Sequence, residues 1–169
     1  LEIGCGWGAF AEYAANQYGC FVTGISLSKE QLAYANARIK DTPANAKVNF
    51  QFKDYRDLTG TYDAIVSVEM LEAVGEEWWP TYFNKVASCL RKGGKAAIQT
   101  ITIANERFDD YRSKTDFIQQ YIFPGGMLPS PQRLYQESSK AHLTINNYMS
   151  FGLDYAETLK QWRHSFDEK

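Results

Sequence analysis

The chain has 169 residues, with 18 Lys or Arg against 20 Asp or Glu, a formal net charge of −2, and 44% hydrophobic and 15% aromatic residues. That length suits a single domain over residues 1–169 with a substantial core, and the balanced charge gives no reason to expect a nucleic-acid partner. Three cysteines without C-x-x-C spacing and two scattered histidines, His142 and His164, argue against a disulfide framework and a metal site; neither a signal peptide nor an apolar run of membrane-spanning length is present.

Leu1-Glu2-Ile3 reads as the end of a hydrophobic strand running into Gly4-Cys5-Gly6-Trp7-Gly8, and a helix follows at once with Phe10, Ala11, Ala14, Ala15 and Tyr18 on one face. Glycines let such a loop turn sharply and let a ligand come close. The helix start adds free N–H groups and partial positive charge. Two ligand classes fit. A dinucleotide needs G-x-G-x-x-G/A, which Gly4, Gly6 and Ala9 satisfy, plus an acidic residue about 20 positions on. The second strand ends instead in Gly24-Ile25-Ser26-Leu27. The E/D-x-G-x-G-x-G loop of S-adenosylmethionine-dependent methyltransferases is met by Glu2, Gly4, Gly6 and Gly8 at every fixed position. The loop favours the second class without excluding the first, since glycine loops recur on many folds. Cys5 reads as a small residue in a tight loop rather than a nucleophile.

Further along, residues 20–25 read as a buried strand. Ser28-Lys29-Glu30-Gln31 reads as a capping box, with Ser28 as N-cap and Gln31 as its reciprocal partner. It opens a helix through Leu32, Ala35 and Ile39 that Asp41-Thr42-Pro43 ends. Residues 48–52 alternate strictly, as a strand does, and residues 62–68 form the near-continuous apolar run of a parallel strand covered on both faces. Trp79, Tyr82, Phe83, Val86 and Leu90 share a helical face that Gly93-Gly94 terminates, and residues 95–103 follow as a long strand. This alternation predicts a doubly wound, mostly parallel α/β sheet. Ligands then lie beyond the carboxyl ends of its strands, at residues 4–8, Ser26, 53–55, 69–72 and from Gln99 onwards.

The second part is less regular. Residues 116–123 have helical spacing that Pro124-Gly125-Gly126 breaks, and Ser130-Pro131 supplies an N-cap and N1 proline for a helix to about Ala141. Residues 142–148 alternate as a strand, and Tyr155, Leu159, Trp162 and Phe166 mark an amphipathic helix.

Several segments together resemble one family, the cyclopropane-fatty-acyl-phospholipid synthases and their mycolic acid cyclopropane synthase relatives. The matching stretches are residues 1–13, Val22-Thr23-Gly24-Ile25-Ser26-Leu27-Ser28 with Gln31, Asp54-Tyr55-Arg56-Asp57-Leu58, residues 65–75, residues 121–130 (Tyr-Ile-Phe-Pro-Gly-Gly-Met-Leu-Pro-Ser), and Tyr155-Ala156-Glu157-Thr158-Leu159 with Trp162. They are co-linear and cover nearly the whole chain. The resemblance implies a class I S-adenosylmethionine-dependent methyltransferase fold, Rossmann-like, truncated at both ends, because the chain opens in mid-strand and the family's N-terminal lid and C-terminal segment have no counterpart. The fragment is therefore expected to be inactive by itself, and the strand at 142–148 to lack an antiparallel neighbour, leaving an open edge.

The resemblance also implies a reaction: methyl transfer from S-adenosylmethionine to the cis double bond of a phospholipid acyl chain, then proton loss from the carbocation to close a cyclopropane ring. An isolated alkene is a poor nucleophile, so the site must align it and exclude water. Aromatic faces stabilise the cation without attacking it, and a base takes the proton, in this family a bound bicarbonate. Carried over by motif, Glu2, Gly4, Gly6 and Gly8 hold the cofactor, and Ser26, Leu27 and Gln31 replace the ribose acid, although capping alone accounts for Gln31. Tyr55 stacks on adenine. Glu69 lies at the cofactor end of the fourth strand, where relatives often have glycine. Glu72 matches the bicarbonate-holding glutamate and Ile101 contributes its backbone. Gln99 stands where many members have histidine; its amide donates a hydrogen bond but cannot become cationic, which would favour methylation with hydride migration over ring closure. Phe117, Tyr121, Phe123 and Trp162 are candidates for the acyl tunnel.

Phospholipid acyl chains at the membrane surface are the implied partners. A cytoplasmic protein, peripheral at the inner membrane face and homodimeric in its full-length form, is the implied setting. Alternatives of the same chemistry are a methyl- or methylene-branching fatty-acid methyltransferase without ring closure and a small-molecule methyltransferase. Those of other classes are an NAD(P)-binding oxidoreductase, opposed by the missing acid, and a non-catalytic lipid- or cofactor-binding module.

Overall fold

The computed structural model describes residues 1–168. Its strands are β1 (Glu2–Ile3), β2 (Val22–Ser26), β3 (Val48–Phe52), β4 (Tyr62–Val68) and β5 (Leu90–Gln99). They form one sheet in the order β3-β2-β1-β4-β5, and every pairing is parallel. All five carboxyl ends therefore share one rim, and the order reverses between β1 and β4, the crevice where open α/β sheets take ligands.

Two different cores hold the sheet. On one face α1 (Ala9–Tyr18) and α2 (Lys29–Ile39) lie close, because the buried residues are small: Ala11, Ala14, Ala15 and Ala35, with Ile39 and Val22 filling between them. On the other, α4 (Trp79–Cys89) buries Trp79, Tyr82, Phe83, Val86 and Cys89 against Ile3, Ile25 and Ile65. Each large apolar side chain contributes roughly 1.5–3 kcal/mol on full burial, so the α4 face carries most of the apolar stabilisation. The remaining helices are α3 (Leu71–Val74), α5 (Asn105–Arg112), α6 (Pro131–Lys140) and α7 (Gly152–Asp167). An ion network ties this second part together: Glu76 meets Arg112 at 2.7 Å and Arg133 at 3.2 Å, and the buried Glu137 meets Arg133 at 3.3 Å and Lys140 at 2.8 Å. Among the described residues no helix is long and apolar enough to cross a membrane.

The sheet follows the predicted alternation, with four local departures. β5 begins at Leu90, directly after α4, takes Gly93 and Gly94 into an irregular stretch where the register shifts from Tyr62↔Leu90 to Ala64↔Lys95, and ends at Gln99 instead of residue 103. Ile103 donates to Pro129 O at 3.0 Å, so the chain has already left the ladder there. β4 is not covered on both faces: Ile65 and Ser67 are buried, but Ala64 and Val68 are exposed, because α1 and α2 pack over β2 and β3. The helical segment near 116–123 is a wide turn, a π-helix at Ile118–Ile122 closed by Phe123 N–H on Ile118 O at 2.8 Å. Asp116 and Gln119 cap it reciprocally, at 2.8 and 3.1 Å.

The expected strand at 142–148 does not form. His142 turns at φ +59 and the following residues join no ladder. Alternation sets which side chains could face a core, but a strand exists only where its backbone groups find partners. β5 is accordingly the last strand on its side of the sheet, and a cavity of about 780 Å³ separates residues such as Lys95 and Ala96 from Ile145 and Tyr148.

Candidate active site at the sheet rim

The glycine loop is pinned to its neighbour. The N–H groups of Gly4 and Cys5 both donate to Ile25 O, at 3.1 and 2.9 Å, and Gly8 N–H turns back to Cys5 O at 2.9 Å. At Gly8 (φ +80) a Cβ would lie 2.8 Å from Ala35 Cβ and from Phe50 Cζ, so packing of α1 on α2 and β3 demands glycine. Gly6 differs: at φ +50 a Cβ would meet nothing within 4 Å, so that face of the loop is open to a ligand. Glu2 is buried beneath the loop with Oε2 unpartnered among the described residues. Burial pushes its carboxyl up to about 7, opposed by the positive charge of the Leu1 amino group and then by a hydrogen bond from the Ala11 amide near the start of α1. Burial likewise pushes the Cys5 thiol up to about 12, which leaves it unreactive.

At the end of β2 the expected capping box is only half formed. Ser28 Oγ accepts from Gln31 N–H at 3.1 Å. The Gln31 side chain does not return the bond; its Oε1 accepts from Ser26 Oγ at 2.9 Å, while Ser26 Oγ accepts from Ser28 N–H at 3.1 Å. Gln31 is thereby drawn to the rim beside Ser26, next to an exposed Leu27.

Tyr55 departs from expectation. A short turn at Tyr55–Asp57, in which Asp54 accepts from the Arg56 amide at 2.9 Å and pairs with its guanidinium at 2.7 Å, points the ring inward. It is 8% exposed and packs edge-on to Tyr82 at 5.7 Å, so most of the ring lies in the core.

Across the crevice, the ends of β4 and β5 bring four residues together. Val68 pairs with Gln99, and Glu69 continues the ladder by donating its N–H to Gln99 O at 2.9 Å. Glu69 Oε1 accepts from Gln99 Nε2 at 3.0 Å. Glu72, on the first turn of α3, accepts from Ile101 N–H at 2.6 Å through Oε1, while its Oε2 is buried without a partner among the described residues. Glu72 O also accepts from Met127 N–H at 2.9 Å, fixing the loop after Pro-Gly-Gly over α3. Sequence reasoning left out Tyr155 as a site residue: its hydroxyl donates to Glu69 Oε2 at 3.3 Å, and its own pKa is raised by burial first and by Glu69 second. Its place inside a matching motif was the available signal.

The aromatic residues expected to form a tunnel do not enclose one among the described residues. Phe117, Tyr121, Phe123 and Trp162 are 65%, 64%, 64% and 62% exposed. Phe117 and Tyr121 pair with each other at 5.2 Å on the wide turn, and neither reaches the cavity beside β5. That cavity does reach Glu69, Gln99, Ile101 and Tyr155.

Compared with known proteins, residues 1–169 match throughout the family described as mycolic acid cyclopropane synthetase. The chain belongs to this family. It is 41% identical over 170 residues to the tuberculostearic acid methyltransferase UfaA1 of Mycobacterium tuberculosis, covering 100% of this chain and 40% of that protein. It is 38% identical over 171 residues to the cyclopropane-fatty-acyl-phospholipid synthase of Escherichia coli K12, covering 98% of this chain and 41% of that protein. The solved structure of the cyclopropane synthase MmaA2 from Mycobacterium tuberculosis matches with a TM-score of 0.89 at 27% identity, over 99% of this chain and 62% of that one. The chain thus spans about 40% of the length of these curated relatives, and its sheet is that of the class I S-adenosylmethionine-dependent methyltransferases.

Proposed function

We propose that the protein containing this chain transfers the methyl group of S-adenosylmethionine to the cis double bond of unsaturated phospholipid acyl chains and closes a cyclopropane ring through a carbocation. The observation that carries this reading is the convergence, across the β1/β4 crevice, of a glycine loop open at Gly6 with the cluster of Glu69, Glu72, Gln99 and Ile101. When bound, S-adenosylmethionine supplies an electrophilic methyl on a sulfonium.

Gly6 gives it a close backbone approach, Gly4 and Gly8 hold the tight turn that presents Gly6, and Glu2 braces the loop. Ser26, Leu27 and Gln31 meet the ribose end, where the hydroxyls of a sugar need polar partners of this kind. Glu72 and the Ile101 N–H fix the geometry of the reacting end, and Gln99 holds Glu69 there. For bicarbonate the same residues make a poorer case, since the Gln99 amide and the Ile101 N–H are already engaged by Glu69 and Glu72. The resemblance extends the proposal to a cytoplasmic, homodimeric protein acting peripherally at the inner membrane face.

A second reading, methyl or methylene branching without ring closure, is favoured by Gln99, whose amide cannot become cationic; the two curated relatives above are named one for each outcome. The test is lipid analysis of cells that express the full-length protein and are fed methyl-labelled methionine. Label in upfield ring protons supports cyclopropane formation, and label in a methylene or methyl branch supports the second reading. Calorimetry that finds NADH bound and S-adenosylmethionine not bound would refute both.

A further inference from the structure

The proton lost from the alkylated carbon needs an acceptor, and this inference rests on the function proposed above. The resemblance assigns that role to a bicarbonate held by Glu72, the Gln99 amide and the Ile101 N–H. Both donors are taken by the protein's own carboxylates: Gln99 Nε2 donates to Glu69 Oε1 at 3.0 Å, and Ile101 N–H donates to Glu72 Oε1 at 2.6 Å. A bicarbonate could offer its O–H to the Glu72 Oε2 that is buried without a partner among the described residues, but its two charged oxygens would find the Gln99, Ile101 and Tyr155 donors already engaged and would have to displace a carboxylate from them. The site does not fit that anion.

Glu69 fits the vacancy in the chemistry. It stands at φ +50, a left-handed conformation that non-glycine residues rarely adopt and that persists only where the surrounding structure over-determines it. Its carboxylate is held at both oxygens, by Gln99 at 3.0 Å and by Tyr155 at 3.3 Å. Its backbone is fixed by Gln99 O at 2.9 Å, and the side chain is exposed to the cavity that Gln99 and Ile101 also line. Gln99 is the matching partner. Its neutral amide orients the carboxylate through one N–H donation and places no cation beside it.

We propose that Glu69 is the general base of this protein, its own carboxylate serving where the resemblance puts a bound anion. In ring closure a C–H bond of the newly delivered methyl breaks, the proton passes to a Glu69 oxygen, and the C–H electron pair forms the second bond to the cationic carbon. If a hydride migrates first, the same proton loss leaves that pair as a C=C bond, giving a methylene branch. Neither course needs an oxidant or a reductant, and the neutral Glu69 returns its proton to water after product leaves.

The test uses the full-length protein with vesicles of unsaturated phospholipid and S-adenosylmethionine, in buffer freed of carbon dioxide and then supplemented with bicarbonate. The wild-type rate is expected to be the same in both. E69G, which relieves the positive φ and so folds, is expected to lose kcat by about 100-fold or more and to recover part of it with added bicarbonate or formate. E69Q keeps the shape without the basicity and should be as slow, with no rescue. A wild-type enzyme that stops without bicarbonate, an E69G as fast as wild type, or a loss in E69Q confined to KM for S-adenosylmethionine would each overturn the assignment of the base alone. A wild-type protein that alkylates no acyl chain in either buffer refutes the proposed function, and the assignment with it.

Discussion

Gly6 and Gly8 have positive φ in the same loop, yet they answer to different neighbours. Gly8→Ala must pay for a left-handed alanine and for contacts at 2.8 Å with Ala35 and Phe50, so a loss of about 2–5 kcal/mol is expected in chemical denaturation. Gly6→Ala meets open space and should cost only about 1–2 kcal/mol, while lowering S-adenosylmethionine affinity in calorimetry by filling the face a ligand would approach. The reverse pattern would move the cofactor away from Gly6. Glu2 gives a pH dependence. Its folded pKa of about 7 lies above the ordinary 4.5, so the folded state keeps a proton that the unfolded chain releases. Its contribution to stability is therefore greatest below pH 4.5, declines as pH rises to about 7, and stays lost above. Glu2→Gln should flatten that decline and raise stability at pH 8 by up to about 3 kcal/mol, read from denaturation midpoints across pH. The glycine spacing and the acid before it are legible in the sequence; that one glycine serves packing and another faces open space is not, because only the fold brings Ala35 and Phe50 against the loop.

Elements were legible where local chemistry and tertiary partners agree. The run of residues 62–68 forms β4, and Trp79, Tyr82, Phe83 and Val86 form the buried face of α4, because their spacing matches a surface that exists. Residues 142–148 have a strand's alternation and no strand, since no neighbouring backbone completes their hydrogen bonds. Ser28 caps α2 as its sequence requires, but Gln31 turns to Ser26 because the Ser28 N–H is already donated to Ser26 Oγ, whose hydroxyl proton is then offered to Gln31 Oε1. Tyr55 shows the same contest. Its motif is shared with a cofactor-binding family, while the Asp54–Arg56 pair turns its ring into the core against Tyr82. A motif specifies which residues are present; the turn specifies which way they face.

For the whole molecule, Phe117, Tyr121 and Trp162, at 65%, 64% and 62% exposed, enclose no acyl tunnel among the described residues, and Glu69 at the proposed reacting end is itself exposed to water. A carbocation formed there would be quenched, so residues 1–169 as an isolated polypeptide are expected to bind S-adenosylmethionine in calorimetry yet to alkylate no phospholipid in vesicles; turnover there would show that this surface excludes water unaided. The sequence by itself determined the strand–helix alternation, the glycine loop and the family, because these follow from local periodicity and from motifs whose order along the chain is their signal. Tertiary structure alone decided that Glu69 and Gln99, 30 positions apart, share a hydrogen bond, and that Tyr155 reaches them from α7, 86 positions beyond Glu69. Parallel pairing sets neighbours by register across the sheet rather than by distance along the chain, and no local pattern encodes that.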